Sequence, residues 1–307
     1  MSASDLERVT ERLTRRFGPG VASWCAGIPG LARSFAWRWS LSVGGPFPVG
    51  NSSVAFRCTR SDGSGAVLKL SPDLPVVAEQ VATLRLFAAS GRVPVVLAAD
   101  LPAGAVLLDL IEPGTQADQL EPPPSAPEWA SLLAALHGVS VPPDYPRDLR
   151  AQCEGFFARI GGRVEEPAVA RWVSAADVAL GAERCGALLA TETVRVLLHG
   201  DLHLANVLDG GVLDGGVLYN GTGRRLVAID PRSCVGDPCF DAVDYLLAGA
   251  GRDGVGSRCA ALAAASGLNS DRLHAWCRAI APIVAITYLR RPDSEAAVAE
   301  LLVLARS

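Results

Sequence analysis

The sequence predicts an α+β chain in two parts, a small antiparallel-sheet part followed by a mainly helical one. Three observations carry this. Short runs of alternating apolar residues, separated by turn residues, continue to about Ile111. The stretch Glu121-Pro122-Pro123-Pro124-Ser125-Ala126-Pro127 is too rich in proline to continue a helix. From Glu128 onward, apolar residues such as Trp129, Leu132, Leu133 and Leu136 recur at helical spacing. The expected boundaries are 1–111 for the sheet part, 112–127 for a linking segment and 128–307 for the helical part.

Within the first part, Leu6, Val9, Leu13 and Phe17 predict a helix that stops at Gly18-Pro19-Gly20. Phe35, Trp37, Trp39, Leu41 and Val43 alternate and predict a strand whose tryptophans lie on its core face. Val54, Phe56 and Cys58 predict a second strand, and Ala66-Val67-Leu68-Lys69-Leu70, after the turn Ser61-Asp62-Gly63-Ser64-Gly65, a third. Ser71-Pro72-Asp73 caps a helix running to about Ala89, with Val77, Val81, Leu84 and Ala88 on one stripe. Val93 to Ala99 and Ala105 to Ile111 complete a five-stranded sheet. In the second part, Val194 to Leu198 and Arg225 to Ile229 form a short β segment. Between them VLDGG occurs at 207–211 and 212–216 and VLYNG at 217–221, which predicts an enlarged hairpin tip with no catalytic role.

Composition narrows the function. Of 307 residues, half are hydrophobic and 20% charged, which suits a globular core and excludes a disordered or fibrous chain. A net charge of −4 supplies no positive field for nucleic acid or an anionic membrane. The opening residues lack an apolar signal core, and the longest apolar run, Ala279 to Leu289, contains Pro282 and is too short to span a bilayer. A cytoplasmic monomer is the expectation. The eight cysteines form no C-x-x-C pair, which favours buried thiols over a disulfide or zinc framework. Among 28 basic residues a single one is lysine, Lys69, a compact ammonium where every other position carries a guanidinium fork.

The densest polar cluster is His199-Gly200-Asp201-Leu202-His203-Leu204-Ala205-Asn206, leaving one apolar strand and entering another. Ile229-Asp230-Pro231 ends the returning strand, so a hairpin brings Asp230 back beside Asn206. Two carboxylates and an amide then converge, an oxygen set that suits Mg²⁺ together with substrate phosphates. Asp201 and Asn206 match the catalytic-loop spacing H-R-D-x-x-x-x-N, Asp230 takes the place of the D-F-G aspartate, and Lys69 sits on the third strand as in V-A-I-K.

On these residues the chain resembles the aminoglycoside phosphotransferase family, within the protein-kinase-like fold, over most of its length. The carriers are V-L-K-L at 67–70, H-G-D-L-H-x-x-N at 199–206, I-D-P at 229–231 and G-D-P at 236–238, with echoes in L-L-D-L-I-E-P-G-T at 107–115 and L-A-A-L-H at 133–137. The phrase I-D-P-R-S-C-V-G-D-P most resembles the branch holding streptomycin 6-phosphotransferases and hydroxyurea phosphotransferases. The resemblance implies a bilobal fold that uses ATP or another nucleoside triphosphate with Mg²⁺ to phosphorylate a hydroxyl of a small molecule, an aminoglycoside such as streptomycin. It implies that Asp201 is the base, that Asn206 and Asp230 bind the metal, and that Lys69 binds the α- and β-phosphates. It further implies that the turn with Ser52 and Ser53 lies over the phosphates, and that backbone near Leu110 and Glu112 holds the adenine. The family places an acidic partner for the lysine on the following helix; here Glu79 falls opposite the apolar stripe and Gln80 aligns with the acidic position, so that Glu79, Gln80 or neither pairs with Lys69.

Other readings stay open. The acceptor is equally hydroxyurea, a macrolide or a metabolite, and a silent nucleotide-binding module is the rival from another class. His199 and His203, four apart, lack the helix and the glutamate of a zinc motif, and His199 reads as a brace for the loop. His203 is either a phosphate contact or structural. Asp237 and Asp241 either contact a polycationic substrate or form a turn and cap the helix near Phe240. His137 and His274 read as packing or capping residues.

Overall fold

The computed structural model describes residues 2–48, 50, 52–212, 223–248, 254–291 and 294–307. Two compact units separate, one of Met1–Ala88 with Val93–Gly114, the other of Ala89–Arg92 with Thr115–Ser307.

In the first unit α1 (Ala3–Phe17) opens on a reciprocal cap. Ser2 Oγ accepts from Asp5 N at 3.1 Å, and Asp5 Oδ2 accepts from Ser2 N at 2.9 Å. The helix closes at Gly18, whose φ of +79° precedes Pro19. A second helix, α2 (Ala22–Arg38), then replaces the first half of the expected strand. Cys25, Ile28, Ala32 and Phe35 are its buried residues, and their helical repeat carries the coil past Trp37. The alternation was misleading because residues four apart on a helix also share a face: the rings of Phe35 and Trp39 lie 4.6 Å apart, while Trp37 is 87% exposed, not on a core face. The strand itself starts only after Ser40, which takes a φ of +52°.

β1 (Leu41–Pro46), β2 (Val54–Arg60) and β3 (Gly65–Leu70) precede α3 (Leu74–Phe87), and β4 (Val96–Asp100) and β5 (Ala105–Asp109) follow it. All five pair antiparallel in the order β1-β2-β3-β5-β4. Val54, Phe56 and Cys58 of β2 and Ala66, Leu68 and Leu70 of β3 join the α1–α2 residues in one core. Each large side chain buried there contributes about 1.5–3 kcal/mol. Val77 and Val81 of α3 cover the other face, against Val106. Lys69 pairs with Val106 in the β3–β5 register and so projects on the α3 side.

The second unit strings α4 (Ala126–His137), α5 (Leu149–Gly161), the short α6 (Pro167–Ala170) and α7 (Ala175–Ala190) ahead of four short strands. These are β6 (Val196–Leu198), β7 (Val207–Val212), β8 (Arg224–Ala228) and β9 (Cys234–Gly236), and α8 (Val243–Leu247), α9 (Val255–Ser266), α10 (Ser270–Tyr288) and α11 (Glu295–Arg306) follow. α10 is buried on nearly every side, including Leu273, Trp276, Cys277 and Ile280, and packs on α7, α9 and α11 as the axis of the unit. Ala89–Arg92 belongs here because Arg92 donates to Ser131 Oγ (2.7 Å) and its carbonyl accepts from Ala228 N (2.7 Å).

Two antiparallel ribbons replace the single expected one. β7 pairs with β8, while β6 pairs with β9, a three-residue strand too short to register in a pattern search. The first VLDGG copy is strand, not tip; the remaining copies, apart from Val212, lie outside the described residues. All eight cysteines are buried and unpaired by disulfides, as expected. Among the described residues no helix is long and apolar enough to cross a membrane.

Candidate active site

Both ribbons deliver loops to one place. The 199–206 loop leaves β6 and enters β7, and the 229–233 segment leaves β8 and enters β9. Backbone bonds join them: Ile229 N donates to Asn206 O at 2.8 Å, and Arg232 N to His199 O at 2.9 Å. The hairpin anticipated from sequence thus sets Asp230 next to the residue bonded to Asn206.

Gly200 is required where it stands. Its φ is +78°, and a Cβ there would sit 2.3 Å from Arg232 O. Its carbonyl accepts from Gln152 Nε2 of α5 at 2.5 Å. Beneath the loop, Asp241 is 2% exposed and accepts from His199 N at 2.7 Å and Gly200 N at 2.9 Å, so two successive amides are held by one carboxylate. Burial pushes the Asp241 carboxyl up, but the hydrogen bond from His137 Nε2 (3.1 Å), the neighbouring histidines and the loop amides outweigh it and hold the group below its ordinary value. Asp241 is therefore a loop anchor and not the helix cap or substrate contact expected, and His137 serves it. Asp237 does form the expected turn, accepting from Cys239 N at 2.9 Å, and also receives Trp276 Nε1 at 2.7 Å.

His199 is fully buried, and burial lowers its pKa. Nδ1 accepts from Asp201 N at 3.4 Å, which assigns the proton to Nε2, 3.1 Å from Ile229 O. The ring braces the loop, as expected, and both nitrogens are committed away from any zinc. Asp201 follows with a side chain 38% exposed. Asn206 Nδ2 donates to Asp201 O at 2.9 Å and to Asp201 Oδ2 at 3.4 Å, which turns the amide oxygen away from Asp201. Asp230 has a φ of +56°, a conformation that aspartate tolerates and that recurs at functional sites. Arg232 Nε lies 3.7 Å from Asp201 Oδ2. Asp244, on α8, is pushed up to about 6, first by burial and then by the charges of Asp201 and Asp241, against the pull of His203 and Arg291.

An amide oxygen and carboxylates fit a hard cation that takes its other ligands from water and phosphates. Among the described residues no group of three or more His, Cys, Asp or Glu side chains could hold a metal unaided.

The remaining candidate residues lie in the first unit. Lys69 Nζ donates to Gln80 Oε1 at 3.1 Å. Ser52 O accepts from Ser71 Oγ at 2.7 Å, and the buried Ser53 passes its carbonyl to Arg12 Nη2 at 3.2 Å. Arg12 of α1 also donates to Pro48 O at 3.1 Å. Leu110 N donates to Gly65 O at 3.3 Å. Glu112 pairs with Arg57 at 3.4 Å. Arg12 and Gln152 carry no local motif, and the sequence showed His137 only as a packing or capping residue and Arg232 only inside the I-D-P-R phrase, because each acts through contacts with distant residues or backbone.

The profile of the aminoglycoside/hydroxyurea antibiotic resistance kinase family matches residues 38–291. A hydroxyurea phosphotransferase from Kitasatospora aureofaciens is 32% identical over 266 residues, covering 84% of this chain and 72% of the relative. A streptomycin 6-kinase from Streptomyces glaucescens is 32% identical over 250 residues, covering 78% and 75%. A thermostable mutant of aminoglycoside phosphotransferase APH(4)-Ia, crystallised with ADP and hygromycin B, superposes with a TM-score of 0.59 at 16% identity, over 89% of this chain and 97% of that one. The fold is that of the protein-kinase-like phosphotransferases. The chain belongs to the aminoglycoside/hydroxyurea antibiotic resistance kinase family, and it is an enzyme, a phosphotransferase acting on a small-molecule alcohol.

Proposed function

We propose that this enzyme transfers the γ-phosphoryl group of ATP, or of another nucleoside triphosphate, to a hydroxyl of an aminoglycoside such as streptomycin. The observation that carries the reading is the junction of the two ribbons, where Asp201, Asn206 and Asp230 are gathered by backbone bonds between their loops. In this reading Asp201 receives the hydroxyl proton while the new O–P bond forms and the bond to the β-phosphate breaks, releasing the nucleoside diphosphate. A carboxylate is a weak base at neutral pH. In a loose transition state the proton leaves late, so alignment and charge neutralisation supply most of the rate.

Asn206 and Asp230 would hold Mg²⁺, which neutralises charge on the phosphates when bound. Lys69, steadied by Gln80, takes the α- and β-phosphates; the turn with Ser52 and Ser53 covers them; the chain near Leu110 and Glu112 takes the base. Hydroxyurea is the second reading for the acceptor, favoured by the 32% identity to a hydroxyurea phosphotransferase. Incubation of the purified protein with MgATP and a panel containing streptomycin, other aminoglycosides, macrolides and hydroxyurea tests both. A gain of about 80 Da, one phosphoryl group, on an aminoglycoside supports the first reading; a gain confined to hydroxyurea supports the second; none on any compound overturns both.

A further inference from the structure

The second unit contains no lysine, since the one lysine of the chain is Lys69. Any side-chain cation that this unit sets beside the reacting atoms is therefore an arginine or a histidine. Arg232 stands beside Asp201. Its Nε is 3.7 Å from Asp201 Oδ2, inside ion-pair range but longer than the 2.7–2.9 Å of a charge-assisted hydrogen bond.

The backbone of Arg232 is fixed to the catalytic loop from two directions. Its amide donates to His199 O at 2.9 Å, and its carbonyl lies against Gly200, where a Cβ would come within 2.3 Å. The side chain is by contrast accessible, 42% exposed against 38% for Asp201. A rigidly rooted guanidinium thus leans on the base through a loose contact that a better anion can displace.

We infer that Arg232 is a catalytic residue, whose guanidinium leaves Asp201 to bind the equatorial oxygens of the phosphoryl group in flight. The inference rests on the transferase reading, in which Asp201 faces the acceptor hydroxyl and the phosphorus lies one bond beyond. An accessible arginine side chain that comes within 4 Å of that carboxylate has the length to swing to the oxygens on the same phosphorus. The planar fork matches two phosphoryl oxygens at once, and charge spreads onto those oxygens in the transition state. An ammonium would supply the charge without the fork.

The test compares wild type with Arg232→Gln and Arg232→Lys. Both leave the backbone anchors intact, and unchanged thermal unfolding checks the fold. With streptomycin and hydroxyurea as acceptors, Arg232→Gln is expected to lose about 10²–10³ in kcat with the KM for ATP within about threefold, and Arg232→Lys to recover part of it. A second arm needs no acceptor: titration calorimetry of MgADP with and without fluoroaluminate, a mimic of the transferring group. Wild type is expected to bind MgADP more tightly when fluoroaluminate is present, and Arg232→Gln to lose that gain while binding MgADP alone as before.

A variant that keeps the fluoroaluminate gain overturns the role of Arg232 and leaves the transferase reading intact, and raised acceptor KM in that variant would reassign it to acceptor binding. A wild type that neither transfers phosphate nor gains affinity from fluoroaluminate overturns both.

Discussion

Asp244 should make the protein less stable as the pH rises. Its pKa moves from an ordinary 3.8 to about 6 because burial, with Asp201 and Asp241 nearby, disfavours the charged form. Between those values the folded protein holds a proton that the unfolded chain has released, so the contribution of this group is complete below about pH 4 and is lost as pH rises through about 6. The gap corresponds to about 3 kcal/mol at pH 8. Asp244→Asn has nearly the same shape and no charge to bury. Urea unfolding, followed by fluorescence of the buried Trp129 and Trp276, measures both proteins across pH 4–8. The variant should match wild type near pH 4 and exceed it by about 3 kcal/mol at pH 8. Titrating groups far from Asp244 are common to both proteins and cancel, so the difference reports Asp244 together with the charges it faces, Asp201, Asp241 and His203. A difference that stays flat with pH, or a variant weaker than wild type at pH 8, would refute the reasoning.

Two more outcomes follow from local geometry. Gly200→Ala drives a methyl into the Arg232 carbonyl at 2.3 Å and at positive φ; it should cost about 2–4 kcal/mol in denaturant unfolding and abolish activity, and a variant with normal kcat would show the loop is not held as described. Trp37→Ser removes an 87% exposed ring and should change stability by no more than about 0.5 kcal/mol. A loss of about 3 kcal/mol in urea would restore the strand-face placement that the alternation suggested.

Local chemistry was legible wherever it is written in consecutive residues. The loop His199 to Asn206 stood out because a glycine, a carboxylate and an amide cluster there, and the return of β8 beside Asn206 puts Asp230 next to it, as the hairpin reading expected. The sheet of five strands was legible because Val54 to Cys58 and Ala66 to Leu70 alternate cleanly between Gly-rich turns. Phe35 to Val43 failed since a helix end and a strand start abut there, and a period of two cannot be told from i,i+4 over five residues. The support beneath the loop was invisible for another reason. His137 and Asp241 are 104 positions apart, and Gln152 reaches Gly200 across 48; no spacing rule links such pairs. Asp241 looked like a helix cap because it opens a helical turn, but a fully buried carboxylate seeks the nearest unpaired amides, and those belonged to His199 and Gly200.

The most direct test of the whole account replaces Asp201 by Asn. Acceptor-dependent transfer from MgATP is measured by the mass gain on the acceptor, and nucleotide affinity by calorimetry on the same samples. Loss of about 10²–10⁴ in transfer rate, with the Kd for nucleotide unchanged, is the predicted result. Transfer at the wild-type rate by Asp201→Asn would contradict it.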